Sequence, residues 1–376
     1  MTWHDDRFSR RPRMSTDKYY AMVLNGFHRR GDSPQVAESN ARLESARYAE
    51  ACRKLPTAYE DPQVYSILTR LDDAIYSAAK LYGYPVETRP VIGTVQSGQI
   101  NAATVIVPET GEHLLLLDPG LTGLALLMSK VLALSLATPI GDGPKVEFSL
   151  SQQAIARRLD SDPQIEQRFL DAVLAFAVHE RVGNAQQYFL SGTLGGVAGA
   201  FCTSMELFVI GHEYGHIIRG HLRDPAASEA VVVDNAEVAR IAYSWDQEFA
   251  ADAYGGALGV TAFIHSYGGG PALGFVGASA FFGCLEIIER CQTLLQTGAI
   301  TPRSQGTSSH PPSTERRRHI LEVLPVIIDD HEVSDTSVRL AVGVDTAMCE
   351  LWRRIEPIVH RLHKEGVRPR RVWRAS

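Results

Sequence analysis

The stretch that decides the fold is FVIGHEYGHIIRGH, from Phe208 to His221, which sets three histidines and one glutamate among isoleucine, valine and phenylalanine. His212 and His216 are four residues apart, so on an α-helix their imidazoles lie on one face, one turn from each other. Two imidazoles in this arrangement can share one metal ion. Glu213 points about 100° round the helix from His212, where it reaches a metal-activated water without binding the metal itself.

A helix of about five turns is expected around these residues. Thr203 and Glu206 have the S/T-x-x-E spacing of a capping box, which opens helices. Asp224 and Pro225 end the apolar pattern. The segment SGTLGGVAGA, residues 191–200, comes before this helix. It lacks the preceding strand and the spacing of a phosphate-binding loop, so the sequence favours a flexible connection there.

The third histidine of the stretch, His221, is predicted to have a different role. It lies five residues past His216, so on a helix its side chain points about 140° away from the shared face. It also falls in the expected last turn, where a cation suits the helix dipole. We therefore expect His221 to cap the helix.

A second helix is predicted downstream, in AYSWDQEFAADAYGG at residues 242–256. Ser244 and Gln247 repeat the capping-box spacing and mark its start. Glu248 and Asp252 are four residues apart and lie among phenylalanine and alanine, so at least one of them is expected to have a buried cationic partner. The alternative, a solvated acidic helix start, fits these two positions less well.

Together the two helices supply the ligand set of a catalytic zinc site. Such a site has three protein ligands and keeps one coordination position open for water. We predict that His212, His216 and Glu248 bind one Zn²⁺ per chain and that Asp252 accepts a hydrogen bond from a ligand imidazole. For the first helix taken alone, a chance match of the histidine spacing stays open as the alternative.

Composition and charge restrict the class of protein. The chain has 376 residues, of which 45% are hydrophobic and 21% are charged, as in soluble globular proteins. Its formal net charge of -6 gives no reason to expect nucleic acid as a partner. The five cysteines are scattered without C-x-x-C spacing, which favours free thiols and a cytoplasmic location.

The pattern along the chain predicts an α+β protein, mostly helical with a small β-sheet. Helical spacing runs from about residue 19 to residue 84, and β-branched runs separated by turn residues predict two or three strands in residues 89–121. Helical patterns follow. The predicted organisation is an N-terminal arm and helical region at 1–85, a domain with a helical insertion at 86–330, and a C-terminal helix with a basic tail at 331–376.

Two apolar segments are long enough to be tested as membrane spans. Residues 121–137 are interrupted by Lys130, and residues 271–288 are glycine-rich and contain Glu286. Both are interpreted as buried helices of a soluble domain, since small residues also suit close helix packing. Membrane association is therefore not expected, and contact of residues 271–288 with a membrane stays open as the alternative.

The two metal motifs resemble those of a known group of enzymes. HEYGH followed by EFAAD is similar to the gluzincin peptidases, in which two histidines and a glutamate from a following helix hold zinc. Within that group the chain most resembles the CAAX prenyl endopeptidase and heat-shock membrane metallopeptidase family. INAAT at residues 100–104 is similar to that family's asparagine-alanine strand, LLLLDPGL to the strand and turn that follow it, and SSHPPSTERRRHI to its H-P-P/S motif with a later arginine. Soluble bacterial zinc peptidases that act in phage exclusion are a more distant resemblance.

The chain departs from this family at three points. About 110 residues separate Asn101 from His212, which implies an inserted helical region. The clear membrane spans that the family carries are missing from the pattern. Arg317 replaces an isoleucine after the family's arginine position, which is Arg316 here. Substrate class and location are therefore less constrained than the metal chemistry.

The resemblance implies a zincin-like metallopeptidase domain that acts as a zinc-dependent endopeptidase. Glu213 is the expected general base, which takes a proton from a metal-activated water and passes it to the leaving amine. The resemblance places His310 and Arg316 near the active site, where either could donate to the tetrahedral oxyanion. A strand containing Asn101 and Ala102 is expected to bind a protein or peptide substrate through its backbone.

A non-catalytic zinc-binding regulatory or scaffold protein of the same fold is the alternative function. Glu213 argues against it, because a structural site has no need of an acid beside its first ligand. A structural site also usually closes its fourth position with cysteine or histidine, and no cysteine lies near these motifs in a ligand spacing. The sequence leaves the substrate, the cleavage position and the oligomeric state open.

Overall fold

The structure, a computed structural model, covers most of the chain from residue 62 onwards. The residues that it describes are 55, 60, 62–86, 88–95, 102–107, 110–141, 143, 145–223, 228–233, 236–241, 243–299, 311–328 and 330–369. Three predicted features lie outside these ranges: the greater part of the N-terminal arm, the end of the basic tail, and the two site candidates Asn101 and His310.

The described residues form nine α-helices and seven β-strands. The helices are α1 (Pro62–Leu81), α2 (Pro119–Leu136), α3 (Gln152–Ser161), α4 (Pro163–Ala177), α5 (Gly192–Ile218), α6 (Trp245–Tyr267), α7 (Pro271–Thr297), α8 (Ser313–Ile327) and α9 (His331–Lys364). The strands are β1 (Val91–Thr94), β2 (Ala102–Ile106), β3 (His113–Leu117), β4 (Ala137–Pro139), β5 (Val146–Phe148), β6 (Ser228–Val233) and β7 (Ala236–Ile241). This mostly helical content with a small mixed sheet confirms the predicted α+β class.

One three-stranded sheet comes from the region in which two or three strands were expected. Its order is β1-β3-β2, with β1 parallel and β2 antiparallel to the central strand β3. The consecutive leucines of β3 are buried, as expected for a strand with neighbours on both sides. β2 is therefore an edge strand of this sheet, and it lies beside α5. The other strands form two hairpins, β4–β5 and β6–β7.

Two apolar clusters hold the helices together. The larger cluster joins side chains of α2, α4, α5, α7 and α9. The smaller one packs α1 and the sheet against α5 and α6. A buried polar contact adds to the second cluster, because the Tyr214 hydroxyl on α5 donates to Asp72 on α1, which also accepts from Arg89. α5 is thereby fixed from two sides.

The helix that carries the histidines begins earlier than predicted. α5 has Ser191 at its N-cap and starts at Gly192, so the predicted start near Thr203 was wrong. Residues 191–200 are therefore the first turns of this helix and not a flexible connection. Glycine weakens helices by about 1 kcal/mol per residue relative to alanine. Here the burial of Val197 and Ala198 in the larger cluster outweighs that preference.

Within the part of the chain that the structure describes, three helices are long and apolar enough to cross a membrane, judged by length and composition alone. They are α2, α5 and α7, and their apolar windows are 67%, 67% and 78% buried inside the protein. α2 contains residues 121–136 of the first apolar segment, and α7 contains all of 271–288; both have mostly buried side chains. Because these three helices could cross a membrane, the cytoplasmic location expected from the sequence remains a prediction.

Candidate metal centre

Three donor atoms from α5 and α6 meet at one point. His212 Nε2 lies 3.0 Å from His216 Nε2. Glu248 lies 3.6 Å from each of these nitrogens, through Oε2 and Oε1 respectively. Ligands at about 2.0–2.2 Å from a tetrahedral ion are about 3.3–3.6 Å from each other. The two Glu248 distances match this range, and the two imidazole nitrogens lie slightly closer together than it. All three residues are buried, and together they could hold a metal ion.

The local structure of α6 fixes the position of the carboxylate ligand. Ser244 accepts a hydrogen bond from the Gln247 backbone N–H at 3.3 Å, and the Gln247 side chain accepts one from the Ser244 N–H at 2.9 Å. This complete capping box opens the helix at the residue that the sequence predicted. Glu248 therefore stands in the first turn of α6, next to the histidine face of α5.

Small residues let the two helices approach closely enough for this geometry. A Cβ atom placed on Gly215 would lie 2.9 Å from the Cα of Ala251, a distance at which real side chains are essentially never found. Gly215 lies between His212 and His216 on α5, and Ala251 lies one turn after Glu248. The absence of side-chain bulk at this crossing brings the carboxylate within reach of both imidazoles.

Asp252 and Arg316 lie behind the first histidine. Asp252 Oδ1 is 2.9 Å from His212 Nδ1, so the two residues can share a hydrogen bond that leaves His212 Nε2 for the metal. Arg316, from α8, donates to both oxygens of Asp252, at 2.6 Å and 2.8 Å. Its Nη2 also lies 3.1 Å from Glu248 Oε2. Arg316 is therefore the buried cationic partner that was expected for these two acids.

The electrostatic environment favours a bound cation. Burial raises the pKa of Glu248 to about 7, against the opposing charges of Arg316 and His212. Burial also acts to raise the pKa of Asp252, but the charge and hydrogen bonds of Arg316 outweigh it, so this pKa lies below its usual value. With Glu213, the site has three carboxyl groups against one guanidinium. That excess of acidic groups suits a divalent cation.

Glu213 is buried beside the ligands and is held by the sheet. The Thr104 hydroxyl on β2 donates to Glu213 Oε2 at 2.7 Å. Burial raises the pKa of Glu213, while the charge of His212 and the bond from Thr104 act in the opposite direction. The carboxyl group therefore has a fixed orientation and an increased proton affinity, which are the properties of a general base.

His221 does not cap the helix, which corrects the sequence prediction. α5 ends at Ile218, and a 3₁₀ turn at His221–Arg223 folds the chain back towards the site. His221 Nδ1 then lies 3.0 Å from His216 Nδ1. One of these nitrogens donates to the other, and a donating His216 Nδ1–H leaves its Nε2 for the metal. The predicted angle of about 140° assumed that the helix continues to His221, whereas α5 ends three residues earlier, at Ile218.

Tyr243 is a further site residue that the sequence analysis did not identify. It precedes the N-cap residue of α6, and its ring stacks on the imidazole of His216 with 3.6 Å between centroids and 18° between planes. Burial raises the pKa of Tyr243, and the charges of Glu213 and Glu248 raise it further. In the sequence, its position directly before the capping box was the one feature that could have indicated a site residue, but no spacing rule connects Tyr243 to the histidines.

Of the remaining predicted residues, Ala102 is the one that the structure describes. Ala102 begins β2 and pairs with Leu117, two residues before Thr104 on the same strand. Asn101 and His310 lie outside the described residues. The site that the structure brings together thus contains His212, Glu213, His216, Glu248, Asp252 and Arg316 from the predicted set.

Comparisons of the chain with family models, with curated proteins and with solved structures found no match.

Proposed function

We propose that this protein is a zinc-dependent endopeptidase with a zincin-like metallopeptidase fold. One observation supports the proposal: the three possible metal ligands His212, His216 and Glu248 are buried together, and the adjacent residue Glu213 is a further acid that Thr104 holds in place. A structural metal site gains nothing from that acid. A hydrolytic site needs it, because the attacking water must lose a proton.

Zinc is the metal that this ligand set fits best. Two imidazole nitrogens and one carboxylate oxygen form a common set for catalytic zinc, with a fourth position left for water or substrate. When bound, zinc would polarise the scissile carbonyl group and make water more acidic. The protein supplies the proton transfers and the orientation of the groups.

Glu213 performs the proton transfers. As the water oxygen adds to the carbonyl carbon, one water proton passes to the Glu213 carboxylate, and the electron pair of the carbonyl double bond moves to its oxygen. When the carbon–nitrogen bond breaks, Glu213 delivers that proton to the leaving amine. The Thr104 hydroxyl bond to Oε2 holds the carboxylate in one orientation for both transfers.

Two hydrogen bonds orient the ligand imidazoles. Asp252 accepts from His212 Nδ1–H, and His221 accepts from His216 Nδ1–H, so both Nε2 atoms present lone pairs. Arg316 was predicted as a donor to the oxyanion. Its contacts with Asp252 and Glu248 support a positioning role instead, in which it balances the charge of both acids.

The proposed substrate is a protein or peptide bound along β2. This strand has one edge paired with β3, and its Thr104 touches the general base. An extended peptide that adds to the other edge would bring its backbone past Glu213. Backbone pairing of this kind accepts several sequences. We also propose a cytoplasmic location, which the scattered free cysteines support.

The test compares wild type with Glu213→Gln and with a matched control, Glu206→Gln. Glu206 is a second buried glutamate on α5, seven residues before Glu213, and it is not part of the group that could hold a metal ion. Zinc content is measured by elemental analysis after dialysis, and new protein N-termini are counted in cells that express each variant. We expect equal zinc in all three and cleavage reduced at least about 100-fold in Glu213→Gln only.

Two results would overturn the proposal. Wild-type protein that retains no zinc would remove the metal centre. Cleavage by Glu213→Gln at the wild-type rate, with equal zinc, would remove the general base and return the site to the scaffold function considered as the alternative.

A further inference from the structure

The Tyr243 side chain lies against the metal site but takes no part in the mechanism described so far. The residue is 9% exposed, and its ring covers one face of the His216 imidazole. Tyr243 stands directly before the capping box of α6, so the same turn that places Glu248 also places this phenol. Its position is therefore tied to that of a metal ligand.

The Tyr243 hydroxyl is buried and has no hydrogen-bond partner among the described residues. Buried hydroxyl groups in proteins nearly always have a partner, because an unsatisfied donor loses the hydrogen bonds that water would provide. Stacking on His216 accounts for the ring alone. The hydroxyl therefore needs a separate explanation, and a group that enters the site only during the reaction would provide one.

The hydroxyl belongs to a ring that lies against a ligand of the proposed site. The two acids that act on it are Glu213 and Glu248, the general base and the third ligand of the proposed site. These carboxyl groups border the space in which the scissile bond must lie. The hydroxyl therefore belongs to the same buried cluster as the proposed ligands, and neither carboxylate accepts its proton.

We propose that the Tyr243 hydroxyl donates a hydrogen bond to the oxygen of the scissile carbonyl as that oxygen becomes an oxyanion. The inference rests on the proposed peptidase function. When the water oxygen adds to the carbon, the electron pair of the double bond moves to the carbonyl oxygen, and the bond from Tyr243 strengthens. The phenol keeps its proton throughout. When the carbon–nitrogen bond breaks, the pair returns to re-form the carbonyl, and Glu213 supplies the proton of the amine.

Tyr243 fits this role better than Arg316 does. The guanidinium of Arg316 is occupied by Asp252 and Glu248 on the Nδ1 side of His212, behind the ligand. Movement towards a substrate would break two charge-assisted hydrogen bonds. The Tyr243 hydroxyl, in contrast, has no bond to lose.

The experiment uses Tyr243→Phe, which keeps the stacked ring and removes only the hydroxyl. The control is Tyr188→Phe, which removes another buried hydroxyl without a partner, from the loop before α5. The full-length variants are loaded with Co²⁺, whose visible absorption reports ligand exchange. Two probes are titrated: acetohydroxamate, which presents an oxyanion at the metal, and 2-mercaptoethanol, which binds through sulfur. Zinc affinity is measured separately by competition with a chelator.

We expect Tyr243→Phe to bind acetohydroxamate at least about 10-fold more weakly than wild type, as for a lost hydrogen bond to a charged acceptor. Its zinc affinity and its affinity for 2-mercaptoethanol should match those of wild type, and Tyr188→Phe should match wild type throughout. Equal acetohydroxamate binding by wild type and Tyr243→Phe would overturn the role of Tyr243 and leave the proposed function standing.

Two further sets of results would also overturn the inference about Tyr243. Loss of zinc from Tyr243→Phe, or an equal weakening for both probes, would show that Tyr243 serves the packing of His216 and would also overturn the inference. Wild-type protein that binds no zinc, or zinc-loaded protein that binds neither probe, would overturn the proposed function and this inference with it.

Discussion

Gly255 on α6 and His212 on α5 meet backbone to backbone. A Cβ atom on Gly255 would lie 2.9 Å from the His212 nitrogen and 3.0 Å from the Phe208 carbonyl oxygen. Both neighbours are main-chain atoms of a buried helix, so neither can turn aside as a flexible side chain would. The crossing of α5 and α6 therefore depends on the absence of a side chain at this position.

The first prediction is that Gly255→Ala separates the helices. Overpacking of this kind typically lowers the free energy of unfolding by about 1–3 kcal/mol. The displaced Glu248 should also weaken zinc binding. The control is Gly199→Ala, on an open part of α5 where a Cβ meets nothing within 4 Å. Denaturant unfolding and chelator competition measure both effects, and a Gly255→Ala protein as stable as Gly199→Ala would contradict the close crossing.

The sequence predicts the parts of this fold that depend on local spacing. The capping box at Ser244 and Gln247 placed the start of α6 correctly, because both partners lie within one turn. The start of α5 was missed, since glycine-rich residues 191–200 are poor helix formers by themselves. They become helical only through contacts with α2 and α7, which no local pattern contains.

The site residues also fall into those that local spacing predicts and those that it does not. The four-residue spacing of His212 and His216 is local, so their shared face could be predicted. Thr104 lies 109 positions before its partner Glu213, and no sequence rule joins them. His221 depends on a 3₁₀ turn that reverses the chain, so an argument from helical angle gave it the wrong role.

The second prediction concerns Asp252, the acceptor behind His212. Asp252→Asn removes the negative charge that faces both His212 Nδ1 and Arg316, and it should lower zinc affinity by about 10-fold to 100-fold. Asp246→Asn is the matched control, because Asp246 is an exposed acid in the first turn of the same helix. Zinc affinity is measured for both by competition with a chelator. Equal zinc affinities of the two variants would mean that Asp252 serves only as a partner of Arg316 and does not support His212 as a ligand.

The third prediction concerns His221, which contacts His216 as Asp252 contacts His212. His221→Leu removes the hydrogen-bonding nitrogen at 3.0 Å and should lower zinc affinity by about 10-fold. His221→Asn retains a polar group and should recover part of the loss. A purely structural role would leave the two variants with the same zinc affinity at equal thermal stability, so the comparison between them decides the point.

The last prediction uses Glu206, a buried acid on α5 outside the metal centre. Burial raises its pKa from 4.5 to about 7, although a hydrogen bond with Cys202 opposes the change. Between these two pH values the folded protein binds a proton at Glu206 that the unfolded chain releases. The contribution of this group to stability is therefore fully present below about pH 4.5 and is lost as the pH rises towards about 7.

Glu206→Gln removes this titration while keeping a neutral side chain of the same shape. The variant should lose stability less steeply than wild type between about pH 4.5 and about pH 7, by up to about 3 kcal/mol over the whole range. Urea unfolding of metal-free protein at several pH values measures the difference, so titration of the metal centre with bound zinc does not contribute. Parallel curves for the two proteins would mean that Glu206 has an ordinary pKa, and that water reaches this turn of α5.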